Sequence, residues 1–399
     1  MSMRRYKSVE FKNVDWNQVR RRIESERAVL AVDVAKEDFV ATLLDADQTA
    51  LETFKWRHPQ DTAEVVERMV WLGQGLRLEA AMEPSGTYGD ALAWQLRQVG
   101  IALYRVSPKR VHDAAEVYDG VPSLHDAKAA YLIGRLHLQG VSQPWHEPTQ
   151  ARREVTAVLT RLGVCKARQQ SACNRLEPHL SRHWPESLSL LGLDTATLPT
   201  LISAYGDPAS VTADPRGAEA LMHRSGGPGL REEKIQALLA SARHSLGVPC
   251  LAEERTLLQW LGADLLEARK QVHQIEREIE RHVDHDPGMR SMAKVIGKVS
   301  AAVLLAAVGS PQNYPNAGSY IKAIGLNLKE RSSGKHKGQL KITKRGPSLA
   351  RFYLYFAALR LIARDPLVKR WYELKTNRSG APKNKAVIAL MRKLAKALW

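Results

Sequence analysis

Apolar residues first come in short runs. Ala28-Val29-Leu30-Ala31-Val32, Phe39-Val40-Ala41-Thr42-Leu43-Leu44, residues 49–54, Leu78-Glu79-Ala80-Ala81-Met82 and residues 101–106 are bounded by turn-forming residues, a pattern that predicts five strands. Between them the period becomes helical. Val65, Val66, Met69, Val70 and Leu72 share one side of a segment over about 59–72, and a second helix follows over 90–98. From Asp126, Ala130, Ile133 and Leu136 or Leu132 predict another. Further on, Val155, Val158, Leu162, Cys165, Gln169, Ala172 and Leu176 step alternately by three and four. So do Leu258, Leu261, Leu265, Ala268, Val272, Ile275, Ile279 and His282. These are coiled-coil seams that pair with one another or build a dimer.

Three short strands with an acid closing the first are how an RNase H-like sheet begins. The fold class expected is therefore α/β followed by α. Residues 1–27 read as a basic arm or a leading helix, 28–150 as an RNase H-like domain, and 151–285 as a coiled coil with a helical, Pro- and Gly-richer insertion over 178–250. Residues 286–399 read as a mainly helical C-terminal domain. Within it, 296–309 resembles a helix-hairpin-helix, whose Gly turn aims backbone N–H groups at phosphate. Residues 349–359 read as a largely buried helix, and the tail as helical and basic.

Composition narrows the class. The chain has 399 residues, 44% hydrophobic, with a formal net charge of +17. A chain this basic points to nucleic acid as partner, or less often to an anionic membrane surface. No run of 18 apolar residues occurs, so no membrane span is expected, and the N-terminus lacks the apolar core of a secretory signal. Three cysteines without a CxxC pair argue against a disulfide framework and fit a reducing cytosol.

The densest chemistry lies in Ser332-Ser333-Gly334-Lys335-His336-Lys337-Gly338 and Lys341-Ile342-Thr343-Lys344-Arg345-Gly346. Two hydroxyls beside Lys335, Lys337, Lys341, Lys344 and Arg345 suit phosphoryl transfer through a covalent serine. The plainer reading is a solvated basic hairpin gripping a phosphate backbone. Lys298 in the Gly turn is a further phosphate candidate. Asp33 and Glu83 end two strands and can meet if those strands are neighbours, giving oxygen ligands for a hard divalent cation. Each alone reads equally well as a turn residue. Asp126 at a helix start is favoured there by the helix dipole alone.

These features in this order resemble the DEDD-type insertion-sequence transposases, the IS-one-ten/IS-eleven-eleven family that includes the pilin-gene DNA invertases. Ala31-Val32-Asp33-Val34-Ala35-Lys36 looks like its "G-I-D-V-S-K", and Met82-Glu83-Pro84-Ser85-Gly86-Thr87-Tyr88 like its "M-E-A-T-G-x-Y". Residues 122–136 look like its "P-S-K-x-D-x-x-D-A-x-x-I-A-R-L". Ser332-Ser333-Gly334 and Ile342-Thr343-Lys344-Arg345-Gly346 look like its "S-S-G … I-T-K-R-G".

The resemblance implies a RuvC-like domain whose Asp33, Glu83 and Asp126 hold Mg²⁺, then a coiled coil, then a transposase domain whose Ser333, or less favourably Ser332, attacks DNA. It implies donor and target DNA and a structured bridge RNA as partners, a homodimer or tetramer, and a bacterial cytoplasmic, nucleoid-associated setting. One departure stands out. The family's third motif carries aspartates at i and i+3, one helix face; here Asp126 holds the first place and Ala129 the second. The chain then has three acids, as a variant or as an impaired member. Besides an active recombinase, a nucleic-acid-binding relative without strand transfer and a RuvC-like metal-dependent nuclease remain as readings.

Overall fold

The computed structural model describes residues 6–84, 86–227, 229–330, 338, 340–378 and 380–399. It divides into two compact units, Met1–Glu147 and Pro148–Trp399.

The first unit runs β1 (Val9–Glu10), α1 (Trp16–Arg21), β2 (Arg27–Asp33), β3 (Asp38–Asp45), β4 (Ala50–Arg57), α2 (Thr62–Leu72), β5 (Arg77–Met82), α3 (Asp90–Gln98), β6 (Ala102–Arg105), α4 (Pro108–Asp113), α5 (Asp126–Leu138) and β7 (Gln143–Pro144). The strands form one sheet in the order β1-β4-β3-β2-β5-β6-β7. Strands β2, β3 and β4 are antiparallel, while β5 lies parallel to β2 and β6 parallel to β5. This is the RuvC/RNase H-like arrangement. Strand β2 is apolar from Ala28 to Val32 because both faces of the sheet are covered. Ala28, Leu30 and Val32 face a core shared with Val65, Met69 and Leu92 of α2 and α3. Val29 and Ala31 face Leu132, Ile133 and Leu136 of α5. Gly134 lets α5 sit close, since a Cβ there would fall 2.3 Å from Leu44 Cδ1 and 3.0 Å from the Ala31 Cβ.

From Val9 onward the N-terminal segment is not the basic arm expected over 1–27 but part of this unit. Strand β1 pairs in parallel with β4, Val9 opposite Phe54. Phe11, Trp16 and Val19 are buried in the sheet's core. The Arg20 and Arg22 guanidiniums donate to the carbonyls of Trp71 and Leu51. Abundant charge hides three anchoring apolar residues, and the arginines fasten the segment instead of reaching outward.

The second unit runs α6 (Gln150–His183), α7 (Pro185–Leu190), α8 (Thr197–Tyr205), α9 (Pro208–Ala213), α10 (Pro215–Ser225), α11 (Glu232–Arg243), α12 (Ala252–His285), α13 (Pro287–Ile296), α14 (Lys298–Val308), α15 (Ala317–Ile324), β8 (Leu328–Lys329), β9 (Lys341–Ile342), α16 (Ser348–Arg364), α17 (Pro366–Glu373) and α18 (Lys383–Leu398). The seams of α6 and α12 face each other within the chain. Val155, Val158 and Leu162 pack with Val272, Ile275 and Ile279, and ion pairs Arg161–Glu278, Lys166–Glu276 and Arg182–Glu254 set an antiparallel pairing. Helices α7 to α11 cap its far end around Leu198, Leu201, Leu238 and Trp184. Beyond α12, α13 to α16 and α18 enclose Tyr320, Leu354 and Leu390. Helix α16 is buried along one face only: Ala350, Leu354, Ala357 and Ala358 are inside, but Leu349, Phe352 and Phe356 are exposed. Its largely apolar look in sequence conflates these two sides. Among the described residues no helix is long and apolar enough to cross a membrane.

Candidate active site

Asp33 closes β2, and Glu83 follows β5. The two strands run parallel in register as far as Val32 opposite Met82, so the next residues share one edge of the sheet. From β2 the chain moves one way into β3 and β4, then returns on the other side as β5. Such a switch point, at the carboxyl ends of parallel strands, is where open α/β sheets bind ligands. Helix α5 begins at Asp126, and its close seating through Gly134 brings that carboxylate to the same edge.

The electrostatics register the meeting. Burial, then the charges of Asp126 and Glu83, push the Asp33 carboxyl up to about 6, against a smaller opposing pull from the Val34 N–H. Among the described residues, no lysine or arginine is among the groups acting on it. Burial also raises Glu83. Mutually repelling carboxylates are relieved by a divalent cation, and their oxygens suit a hard ion, so these residues fit such a group. Elsewhere, Glu219, His223 and Glu232 present donor atoms within 4.8 Å of one another.

The opposite end of the same strands carries Glu79, fully buried. Arg27 Nε donates to its Oε2 at 2.8 Å, Arg77 Nη2 lies 2.6 Å from Oε1 and His137 Nε2 lies 3.1 Å from Oε2. Burial is the largest single influence on this carboxyl, yet Arg27 and His137 outweigh it and hold it below the usual range.

Ala129, where the third motif expects an acid, is 5% exposed and packs among Val29, Ala31, Leu132 and Ile133. Asp119, the acid seven residues before Asp126, is engaged by the buried Lys128 Nζ at 2.9 Å.

In the second unit, Ser332, Ser333, Lys335 and Lys337 lie outside the described residues. Lys341 is in β9, opposite Lys329 of β8. Lys344 and Arg345 are exposed. The segment holding them is clasped to the end of α15. Arg351 Nη1 donates to the carbonyls of Ile324 (3.1 Å) and Gly346 (2.7 Å). Gly325, at φ +80°, lies so close that a Cβ would fall 3.0 Å from the Arg345 backbone. Arg351 escaped notice in the sequence; its one signal is a charged residue at the start of an apolar helix. Lys298, expected on phosphate, instead places Nζ 2.8 Å from Asp284 and 3.9 Å from Glu280. The Gly297 turn between α13 and α14 is present, with φ +84°.

Known proteins share both regions. A family model described as transposase IS116/IS110/IS902 family matches residues 291–373. A second, for DEDD transposases of the IS110 type, matches residues 30–185. A probable family 20 transposase of Pseudomonas aeruginosa is 26% identical over 169 residues, which is 41% of this chain and 49% of that protein, so the match spans about half of that relative's length. The insertion element IS900 uncharacterized 42 kDa protein of Mycobacterium paratuberculosis is 23% identical over 386 residues, 92% of this chain and 94% of that one. Among solved structures, T. thermophilus RuvC in complex with a Holliday junction substrate covers 30% of this chain and 99% of its own, with 15% identity and a TM-score of 0.23. The first matched stretch contains Asp33, Glu83 and Asp126, and the second contains the paired serines and their lysines. The chain belongs to the IS110-type DEDD transposase family.

Proposed function

We propose that the chain is a DNA transposase of an insertion sequence, cutting and rejoining strands through a phosphoserine link at Ser333. A structured bridge RNA selects donor and target DNA, and the chain works as a homodimer or tetramer in the bacterial cytoplasm, at the nucleoid. The observation that carries the reading is the convergence of Asp33, Glu83 and Asp126, where burial first and then the neighbouring charges raise the Asp33 carboxyl to about 6. Mg²⁺ bound there supplies charge compensation for phosphate oxygens.

Ser333 Oγ attacks the scissile phosphorus. The Oγ–P bond forms as the bond to the departing deoxyribose oxygen breaks, and that oxygen leaves as a hydroxyl, taking a proton equivalent to the one serine gives up. A strand hydroxyl then attacks the phosphoserine, restoring a phosphodiester and the free serine. Ser332 is the second candidate nucleophile. Lys335, Lys337, Lys341, Lys344 and Arg345 hold the backbone in register. Lys298 contributes less than the other cations, being shared with Asp284.

A denaturing gel with labelled DNA, Mg²⁺ and RNA transcribed from the element's flanks tests this. A covalent adduct lost in Ser333→Ala and in Asp33→Asn is expected. Metal-dependent cutting that survives Ser333→Ala would move the assignment to a RuvC-like nuclease. The packing of Ala129 in an apolar cluster favours a second reading, a nucleic-acid-binding relative without strand transfer. An adduct that appears only in Ala129→Asp would support it.

A further inference from the structure

Charge is unevenly spread along the chain. Residues 287–399 hold 23 Lys and Arg against three Asp and Glu, while the whole chain holds 59 against 42. This part therefore carries a positive excess larger than that of the entire protein. Within it, α16 has no acidic residue. Its exposed side presents Phe352 (56% exposed) and Phe356 (42%), one turn apart, their ring centroids 4.8 Å from each other. Arg360 follows Phe356 by one further turn on the same side. Its guanidinium is pinned by the Ile296 carbonyl and the Ser300 hydroxyl, both at 2.9 Å and both neutral, so these bonds leave its charge uncompensated.

Two aromatic rings on a helix surface are costly to leave in water and are poor contacts for paired bases, which are already stacked. A base outside a duplex can lie on a ring face while a cation takes its phosphate. We propose that Phe352 and Phe356 form a stacking platform for unpaired bases of single-stranded DNA, with Arg360 on the adjoining phosphate. The occupant is the strand end freed when DNA is cut, so the inference rests on the strand-cutting function proposed above. A purely aliphatic face would suit a protein partner; here the paired rings and the excess of cations match a stacked polyanion.

The test measures affinity of the full chain for a labelled mixed-sequence DNA strand, the same strand annealed to its complement, and the equivalent RNA strand. The variants are the pair Phe352→Ala with Phe356→Ala and the pair Phe352→Tyr with Phe356→Tyr. The alanine pair is expected to lose at least about thirtyfold on single-stranded DNA, at roughly one stacked base per ring. Duplex affinity and its salt dependence stay unchanged, because no phosphate contact is removed, and the tyrosine pair keeps single-strand affinity. Unchanged single-strand binding by the alanine pair overturns the platform. So does an equal loss on duplex, a loss confined to RNA, or a fall in sedimenting mass, which would identify the face as a contact between copies. If the unaltered chain binds neither form of DNA, the proposed function itself fails; if it binds both and the alanine pair behaves identically, only the platform fails.

Discussion

The two ends of the β2–β5 strand pair treat carboxylates partly or wholly withdrawn from water in opposite ways. At one end Glu79 is enclosed by Arg27, Arg77 and His137, and its acidity is strengthened. At the other, Asp33 lies beside Glu83 and Asp126 with no cation among the described residues that act on it, and burial and then those charges weaken its acidity to about 6. One sheet, one pair of strands and one residue type give a finished structural contact and an uncompensated one. Burial is common to both, so burial does not mark function; the sign of the neighbouring charges does. An uncompensated cluster costs stability and persists where a ligand relieves it.

Removing each partner in turn should separate the ends. The largest effect is expected for Glu79→Ala, which strands Arg27 and His137: a loss of about 3–5 kcal/mol in urea unfolding. Because the folded Glu79 carboxyl lies below its ordinary value, its contribution is present above the unfolded pKa and fades as pH falls through the folded one. A loss below about 1 kcal/mol would mean the pair is replaceable by solvent.

Next comes metal. Mg²⁺ at a hundredfold its dissociation constant should add about 2.7 kcal/mol to the folded state, read as a rise in thermal midpoint that Asp33→Asn abolishes and Glu79→Ala leaves in place. If both variants respond alike, the two ends do not differ as described.

Without metal, Asp33→Asn should itself stabilise the chain. A folded carboxyl at about 6 against 3.8 unfolded means folding takes up a proton between those values. Stability therefore falls as pH rises through that window, and the penalty is complete above it. Relieving it should return about 1–2 kcal/mol at pH 7 once solvent screening is allowed for. No gain at pH 7, or a gain that persists at pH 3, would break the argument. The smallest change is expected from Gly134→Ala, which presses a methyl on Leu44. It should cost about 1 kcal/mol and lower the metal response by moving Asp126 outward.

Much of this was legible before any coordinates. Asp33, Glu83 and Asp126 each stand where an apolar run stops or a helical period starts, and runs of that kind mark strand ends directly. The strand order then follows from few alternatives, so the meeting of the three could be expected. What makes Glu79 different could not: it sits inside a strand as one polar residue among apolar ones, and its partners lie 52, 2 and 58 positions away. Strand β1 was hidden because its anchors, Phe11 and Trp16, are scattered among lysines and arginines. Helix α16 shows the converse. Its composition looks uniformly buried, and only packing decides that Leu354 is inside and Phe352 outside. Ser333 is a third case, a nucleophile proposed from local composition and family resemblance alone and lying outside the described residues.

The antiparallel pairing of α6 and α12 sends the chain out along one helix and brings it back along the other. The ion pairs Arg161–Glu278 and Arg175–Asp264 stand fourteen residues apart on both helices, twice a seven-residue step. Losing seven residues from one helix alone would slide every ion pair out of step, whereas losing seven from each would shorten both limbs and keep the rungs aligned. The pair thus acts as a ruler graduated in sevens, and the distance between the α7–α11 cap and the cationic helices is a quantity this architecture can change only in matched increments.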